Sequence, residues 1–304
     1  MATTVRERME QLVLASQDAI CDALAAADGG AFHETAWQRR DGGGGRSRVL
    51  EGGGVFEKAG VNTSTVWGTL DPVAAKAMGG GAELAGTGLP FFATGVSVVV
   101  HPGNPMVPAA HCNYRYFERG DGTVPGSWWF GGGADLSPSY LFEEDVRHFH
   151  RVHKEACDRH DPAFYPAFKR WCDEYFTLAH RGETRGVGGI FFDDLNDWAA
   201  DDLLAFVADC AAAFLPAYLP LVERRAGTPY TAEQRDWQLQ RRGRYVEFNL
   251  IYDRGTSFGL RTGGRTESVL MSLPPEARWT CREPRAGTPE AALLEVLRAP
   301  RDWV

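Results

Sequence analysis

A strand, a proline-rich loop and a second strand follow one another along this chain, and they constrain its fold more than any other stretch. The run Val96–Val100 is typical of a buried strand that ends at His101. The loop that follows contains three prolines, which exclude regular structure. Residues 113–118 then alternate between two faces, which predicts a strand with Asn113 and Arg115 on the same side.

This stretch can form a binding pocket. His101 and His111 lie at the two ends of a stiff loop, and an asparagine and an arginine follow on the second strand. Acid–base, hydrogen-bonding and cationic groups beside aromatic walls are typical of a pocket for an anionic, partly apolar small molecule. The alternative is that the histidines lie on the surface and that Arg115 pairs with a nearby carboxylate.

The rest of the pattern favours a largely antiparallel sheet covered by helices, in an α+β fold. Residues 3–27 predict an amphipathic helix, and glycine-rich turns within 31–70 indicate hairpins. Further helices are predicted at 139–160, 163–181, 199–225 and 231–242, and further strands at 188–195 and within 242–260 and 268–274. Since no linker divides two cores, we expect a single domain over residues 1–304, with an N-terminal helix at 1–28.

Composition and motifs exclude several classes of protein. With 304 residues and a net charge of −8, the chain lacks the basic surplus of a nucleic-acid-binding protein. No glycine run has the GK[ST] ending of a phosphate loop, and no GxGxxG follows a first strand. The six cysteines form no CxxC pair, so neither a zinc knuckle nor a disulfide framework is indicated.

The location in the cell is inferred from the same features. Free thiols are typical of a reducing compartment. No apolar run approaches the roughly 20 residues that span a bilayer, and the charged N-terminus does not have the pattern of a signal peptide. We therefore expect a cytoplasmic protein without stable membrane insertion.

Histidines on the predicted helices allow a metal site without indicating one. The apolar periodicity of 139–160 predicts that His153 is buried, that His150 lies at the edge of the buried face and that His148 faces solvent. His180 closes the next helix, where a histidine also suits the helix C-terminus. Four histidines could converge on a divalent ion, but their spacing matches no compact motif such as HExxH: His101, His111, His150 and His180.

Arginines and carboxylates towards the C-terminus could take part in binding or chemistry. Gly263 and Gly264 beside Arg265 would let backbone amides approach a ligand carboxylate, although dense arginines more often mark a solvated face. Asp135, after two tryptophans, and Asp253, in IYDRGT, are the candidate acids. An Asx turn before Pro138 is the alternative role of Asp135.

Several long segments occur in a familiar order along the chain, among them GVSVVVHPGNPMVPAAHCNYRYFE, WWFGGGADLSP, RGVGGIFFDDL and RRGRYVEFNLIYDRGTSFGLRTGGRTESVLMSLPPEARW. They resemble the oxygen-dependent coproporphyrinogen III oxidases over roughly residues 30–304. The resemblance implies conversion of coproporphyrinogen III and O2 to protoporphyrinogen IX, CO2 and H2O2, a step of haem biosynthesis. It also implies a homodimer whose protomers each carry a large antiparallel sheet sandwiched between layers of helices.

The resemblance also implies roles for particular residues. The positions that match substrate-binding residues are Ser97, Asn113, Tyr114, Arg115, Gly263, Gly264 and Arg265. His111 matches the proposed proton donor, and Asp135 and Asp253 match acids implicated in the chemistry. The proposed metal ligands are His101, His111, His150 and His180, so the resemblance selects His150 where periodicity selects His153. It implies O2 as co-substrate, no organic cofactor and, in some members only, a divalent metal such as manganese.

These implications lead to a hypothesis for the mechanism. Arg115 and Arg265 would hold substrate carboxylates, Trp128 and Trp129 would cover the pyrroles, and Asp135 would accept pyrrole N–H hydrogen bonds and promote deprotonation. The electron-rich pyrrole would then reduce O2 itself. Two other interpretations predict different behaviour: a tetrapyrrole carrier would bind without turnover, and a four-histidine metallo-oxygenase would require a metal.

Overall fold

A seven-stranded antiparallel sheet forms the centre of the molecule, with the strands in the order β1-β2-β3-β4-β5-β6-β9. The computed structural model describes residues 3–70, 88–124, 126–261, 265–280 and 283–304. The sheet strands are β1 (His33–Gln38), β2 (Gly43–Glu51), β3 (Phe56–Thr69), β4 (Pro90–Pro102), β5 (Ala109–Arg119), β6 (Trp128–Ser137) and β9 (Gly189–Leu195). A separate two-stranded ribbon consists of β7 (Thr177–Leu178) and β8 (Glu183–Thr184).

Eight helices are found in the described part of the chain. They are α1 (Val5–Asp28), α2 (Glu143–Asp158), α3 (Phe164–Tyr175), α4 (Ala200–Arg225), α5 (Ala232–Ile251), α6 (Arg254–Arg261), α7 (Thr266–Leu270) and α8 (Pro289–Arg298). The α+β class and the helix-covered antiparallel sheet predicted from the sequence are confirmed.

The two faces of the sheet differ because strand side chains alternate. On β4 and β5 the even-numbered side chains, such as Val98, Cys112 and Tyr114, are buried beneath α1 and α4. The odd-numbered side chains, such as Ser97 and Asn113, point to the opposite face. We call this second surface the polar face.

Helix α4 is long and apolar enough to cross a membrane by length and composition alone. More than half of its most apolar window is buried inside the protein, and Phe206, Cys210 and Phe214 lie in the core. The core helix of a globular domain passes the same test. Asp209 interrupts the run, which is why no span of that length was expected from the sequence.

The strands predicted within 242–260 and 268–274 are wrong: these residues form α5, α6 and α7. Buried side chains in α5 recur at helical spacing, at Gln238, Arg242, Tyr245 and Asn249. The polar residues of that series interrupt the apolar stripe of the helix. The aromatic and β-branched residues between them are typical of a strand.

Helix α2 carries two buried histidines. Periodicity selected His153 as the buried one, and the family resemblance selected His150 as a metal ligand. His150 and His153 are each 0% exposed. His153 faces Phe149, with the ring centroids 4.4 Å apart, as the apolar spacing predicted. His150, at the edge of that face, is covered by Tyr165 and Trp303. His148 lies nearer the surface and contacts the carbonyl oxygen of Pro216.

The C-terminal tail anchors the segment that leads into β9. Trp303 is 2% exposed, and its indole N–H donates to the carbonyl oxygen of Val187 over 3.2 Å. Lys169 donates to the carbonyl oxygen of Arg301 over 2.7 Å, and Arg147 to that of Trp303 over 3.2 Å. The tail therefore closes the core beside β9.

We expect Trp303→Ala to lower the free energy of unfolding by about 3 kcal/mol, because it removes a buried indole and leaves a cavity. Urea denaturation measures this loss. The matched control is Val304→Ala, one residue further on and 46% exposed, which should change stability by less than about 0.5 kcal/mol. Equal effects from the two variants would contradict an anchoring role for the tail.

Candidate active site

The centre of the polar face is a flat floor of small side chains. One row of the sheet register runs across five strands and reads Ser47, Asn62, Ser97, Asn113 and Gly133. The next row towards the loops contains Val99, His111 and Asp135, and the row on the other side contains Gly95, Arg115 and Gly131. A flat molecule can therefore approach the backbone closely, with polar side chains on either side.

His111, Asp135 and Arg185 form a continuous polar chain at one end of this floor. His111 Nδ1 lies 2.8 Å from Asp135 Oδ1. Arg185 Nη2 donates to both oxygens of Asp135, over 2.8 and 2.9 Å, and its Nη1 donates to Asn249 over 2.7 Å. The side chains of Asp135 and Arg185 are each 2% exposed, whereas that of His111 is 21% exposed. Only His111 therefore reaches the open face.

Opposing effects set the charge of this pair. Burial on its own would raise the pKa of Asp135, but the Arg185 charge and the hydrogen bonds from His111 and Arg185 outweigh it, so the pKa lies below its usual value. Burial likewise disfavours charge on Arg185, yet the Asp135 carboxylate raises the pKa of the guanidinium overall. Both groups are ionised at neutral pH.

Aromatic rings surround the Arg185 guanidinium. Its carbon atom lies 4.3 Å from the ring centroids of Phe176 and Tyr245 and 4.9 Å from that of Phe248. Such cation–π contacts are strongest where water is excluded. They keep this ion pair dry and fix its orientation.

Arg115 lies flat on the sheet beside Asp193. Its Nη2 is 2.7 Å from Asp193 Oδ1, and its Nη1 donates to Asn113 over 3.0 Å. A Cβ at Gly131 would come within 2.6 Å of the Asp193 carboxylate and 2.9 Å of the Arg115 guanidinium. A side chain at position 131 would therefore displace this ion pair from its position on the sheet. The Arg115 side chain is 38% exposed, so an incoming carboxylate can reach it.

Aromatic walls stand at two sides of the floor. At one end Phe117 stacks on Trp129, with centroids 4.4 Å apart. Along β9, Tyr175 stacks on Phe191 at 4.1 Å. Trp128, by contrast, belongs to the opposite face of the sheet and contacts Phe130. Of the two tryptophans expected to cover a ligand, only Trp129 faces the floor.

Asp253 begins the helix α6 rather than joining the His111–Asp135 pair. Its Oδ1 accepts from the Tyr175 hydroxyl over 3.0 Å, and its Oδ2 accepts from the backbone N–H of Thr256 over 2.7 Å. This is the geometry of a carboxylate capping a helix N-terminus. Tyr175 connects it to the aromatic wall.

The structure separates the residues that match substrate-binding positions. Ser97, Asn113 and Arg115 lie together on the floor. Tyr114 points the other way: it is 1% exposed, and its hydroxyl donates to the carbonyl oxygen of Cys210 over 2.9 Å. Arg265 lies at the start of α7, beside Glu267. Gly263 and Gly264 lie outside the described residues.

The four histidines that match metal ligands do not fit a shared metal site. His101 Nε2 contacts the carbonyl oxygen of Ser272 at 2.9 Å. Both ring nitrogens are engaged in His150 on α2, by Tyr165 and Val187, and in His180, which lies in the turn between β7 and β8, by Tyr252 and Glu247. In the described ranges no three His, Cys, Asp or Glu side chains are grouped as a metal would require.

Burial, rather than metal binding, determines the protonation state of these imidazoles. It lowers the pKa of His101 to about 3 and that of His150 to about 3. A carbonyl oxygen only accepts, so His150 Nε2 carries the proton that it donates to Val187. Its Nδ1 then accepts from the Tyr165 hydroxyl, and no lone pair is left for a metal.

Two further residues complete the site, and the sequence indicated only one of them. Arg185 precedes the glycines that lead into β9, and Asp193 lies near the end of that strand. The position of Asp193 at a strand end was visible in the sequence. Nothing in the pattern, however, distinguished Arg185 from the other arginines, because its burial depends on contacts with residues far away along the chain.

Comparison with known proteins agrees with the resemblance. The family model described as coproporphyrinogen III oxidase matches residues 8–303. The oxygen-dependent coproporphyrinogen-III oxidase of Glycine max, named as chloroplastic, is 54% identical over 310 residues, covering 100% of this chain and 80% of that protein. The human mitochondrial protein is 54% identical over 306 residues, covering 99% of this chain and 67% of its own length. The Drosophila melanogaster protein is 53% identical over 306 residues, with coverages of 99% and 78%.

The expected cytoplasmic location is wrong on this comparison. The relatives from Glycine max and Arabidopsis thaliana are named as chloroplastic, and the human relative is named as mitochondrial. The inference from cysteines fails because thiols stay reduced in more than one compartment. Within the described part of the chain all five cysteines are free and buried; Cys281 lies outside it.

Proposed function

This chain belongs to the coproporphyrinogen III oxidase family, and we propose that it converts coproporphyrinogen III to protoporphyrinogen IX with O2 as the oxidant. The observation that supports this most is the pairing of a partly exposed histidine with a buried carboxylate beside a flat, polar floor. The floor suits a macrocycle, the arginine beside it suits a propionate, and the histidine suits proton transfer.

The chemistry balances without an organic cofactor. One propionate side chain loses CO2 and a hydride equivalent, so that a C–C and a C–H bond break and a vinyl C=C bond forms. O2 takes up the two electrons and, with that hydrogen and one further proton, leaves as H2O2. The electrons come from the electron-rich pyrrole and its side chain, and the protein supplies position and proton transfer.

Arg115 is proposed to hold a substrate carboxylate. Its guanidinium is partly exposed on the floor and is paired with Asp193 over 2.7 Å. A propionate can replace or share that partner, since planar guanidinium binds carboxylate in two parallel hydrogen bonds. Ser97 and Asn113 lie on the adjacent strands and present polar groups to the same ligand. Arg265, Gly263 and Gly264 are proposed to bind another carboxylate.

His111 is proposed to transfer the proton, and Asp135 to position it. Asp135 is 1% exposed, and both of its oxygens accept from Arg185. It is therefore shielded from a pyrrole N–H, in contrast to the sequence hypothesis. Because the Asp135 carboxylate accepts from Nδ1–H, Nε2 of His111 is the free acceptor that takes a proton from the substrate.

No step is assigned to a metal ion. The histidines that would have to bind it are held by Ser272, Val187 and Glu247, in separate parts of the fold. Asp253, which caps α6, is proposed to hold Tyr175 and the end of the aromatic wall in place.

The reaction is tested with metal-stripped enzyme and coproporphyrinogen III, with and without O2. We expect vinyl product, CO2 and H2O2 in air and none of them under anaerobic conditions. Binding without turnover in air would indicate a tetrapyrrole carrier. Recovery of activity only after adding manganese or iron would indicate a metal-dependent oxygenase.

The His111–Asp135 pair is tested by His111→Ala, Asp135→Asn and the double variant. Each single change should lower kcat by about 100-fold or more with little change in KM, since proton transfer is lost and binding is not. If Asp135 acts through His111, the double variant should be no slower than His111→Ala.

A second histidine–aspartate pair provides the control. His160 Nε2 lies 2.9 Å from Asp209, between α2 and α4. His160→Ala and Asp209→Asn should leave kcat unchanged. The Asp135→Asn variant leaves the buried Arg185 charge without its partner, which costs about 3–5 kcal/mol of folding free energy. Circular dichroism therefore checks that this variant is folded. Near-normal turnover of a folded Asp135→Asn variant would remove Asp135 from the mechanism.

A homodimer is part of the proposal. Three large apolar side chains on α5 and α6 are open to solvent: Leu250 is 50% exposed, Ile251 61% and Leu260 45%. Exposed apolar surface often marks an interface. A second copy of the chain is the occupant that the family resemblance implies.

Ile251→Glu should shift the protein from dimer to monomer in light scattering after gel filtration, because it places a charge in a buried apolar contact. Leu14→Glu, on α1 and 38% exposed, is the control and should not change the mass. A dimer that persists in the Ile251→Glu variant would place the interface elsewhere.

A further inference from the structure

A small polar cavity lies beside the Asp135–Arg185 pair. Its volume is about 20 Å³, and its wall is formed by the end of β4, the start of β5, the end of β6 and α5. A volume of roughly 10–15 Å³ is enough for one water molecule. The cavity is therefore large enough for a single small guest.

Five buried polar groups on residues of this wall have no hydrogen-bond partner in the described part of the protein. They are His101 Nδ1, Ser137 Oγ, Arg185 Nε, Arg241 Nη2 and the Tyr245 hydroxyl. Counted as whole residues, backbone included, His101 is 1% exposed, Arg185 5% and Arg241 8%. Buried polar groups without partners are rare, because each costs about 1–3 kcal/mol. Five such groups on the wall of one cavity indicate that it holds a small molecule.

The hydrogen-bonding character of these five groups defines that guest. Arg185 Nε and Arg241 Nη2 can only donate. His101 Nε2 donates to the carbonyl oxygen of Ser272, so His101 Nδ1 is the ring nitrogen that accepts. The Ser137 and Tyr245 hydroxyls can each do either. A guest that accepts two hydrogen bonds and donates two satisfies both guanidinium groups, His101 and one of the two hydroxyls.

The charges around the cavity favour a neutral guest over an anion. Each guanidinium on the wall already has a carboxylate partner: Arg185 pairs with Asp135, Arg241 with Glu183 over 2.8 Å, and Arg242 with Glu57 over 2.6 Å. An anion would add a charge without a counterion and would face the lone pair of His101. Neutral water has the required two donors and two acceptors.

We propose that the cavity holds one ordered water molecule, which links His101 to Arg185 and so supports the Asp135–His111 pair. With the water bound, all three nitrogens of the Arg185 guanidinium are engaged: Nη2 by Asp135, Nη1 by Asn249 and Nε by the water. The ring of Tyr245 lies 4.3 Å from this guanidinium and 5.0 Å from the ring of His101. His101 is then a positioning residue and not a metal ligand.

The water itself is tested by a high-resolution crystal structure, which does not depend on the proposed function. We expect one density peak within hydrogen-bond distance of at least three of the five groups. Crystals grown in bromide and in manganese should give no anomalous peak there. An anomalous peak from either ion, or a protein side chain filling the cavity, would overturn the proposal.

The link to catalysis rests on the proposed function and is tested with two substitutions at His101. His101→Phe keeps an aromatic ring but loses the acceptor, so kcat should fall roughly 10-fold at unchanged KM, as for outer partners of a catalytic group. His101→Gln keeps one donor and one acceptor and should recover most of the loss. If both variants lose activity equally and manganese restores it, His101 is a metal ligand and the proposal fails.

A cavity-filling variant removes the water without deleting any polar group. Val107 lines the cavity and is 1% exposed. Val107→Ile should abolish the density peak and lower kcat by several-fold, whereas Val146→Ile, equally buried on α2, should do neither. If the peak is lost and kcat is unchanged, the water does not support proton transfer by His111. A wild-type enzyme without turnover would instead refute the proposed function and leave the water site standing.

Discussion

The buried ion pair between Asp135 and Arg185 connects the fold to the chemistry. Asp135 comes from the centre of the sheet and Arg185 from the segment before β9, and both side chains are 2% exposed. Removing one partner of such a pair leaves an uncompensated buried charge, which costs about 3–5 kcal/mol. The aromatic rings around Arg185, the Asn249 amide and the C-terminal tail beside Val187 all hold this pair in place. The orientation of His111 therefore depends on contacts well beyond the floor.

Strand alternation made the centre of the fold predictable from the sequence. The pattern between Val96 and Glu118 predicts which side chains share a face, and it places Asn113 and Arg115 together, as the structure does. The same rule places Tyr114 on the opposite face, yet the family resemblance grouped it with its neighbours. Local periodicity was the better guide there, because one step along a strand reverses the direction of a side chain.

Contacts between distant segments were not predictable. Nothing local to Arg185 shows that it is buried among Phe176, Tyr245 and Phe248, since those rings come from other elements. The second half of helix α5 has the pattern of a strand, because buried polar residues such as Asn249 interrupt its apolar stripe. These polar residues are buried because partners elsewhere satisfy them: Asn249 donates to the Ser272 hydroxyl over 3.1 Å. A partner of that kind cannot be inferred from spacing.

The histidines show why residue type alone could not assign the site. An imidazole offers one donor and one acceptor when neutral, and burial keeps it neutral, as the lowered pKa values of His101 and His150 show. A neutral imidazole between a carbonyl oxygen and a hydroxyl is a rigid connector between segments. His111 differs because its Nδ1 faces a charged carboxylate whose pKa is lowered, so that Asp135 stays ionised and keeps the proton on Nδ1. Its Nε2 is thereby left as an acceptor at the open floor, where a substrate proton can be taken up.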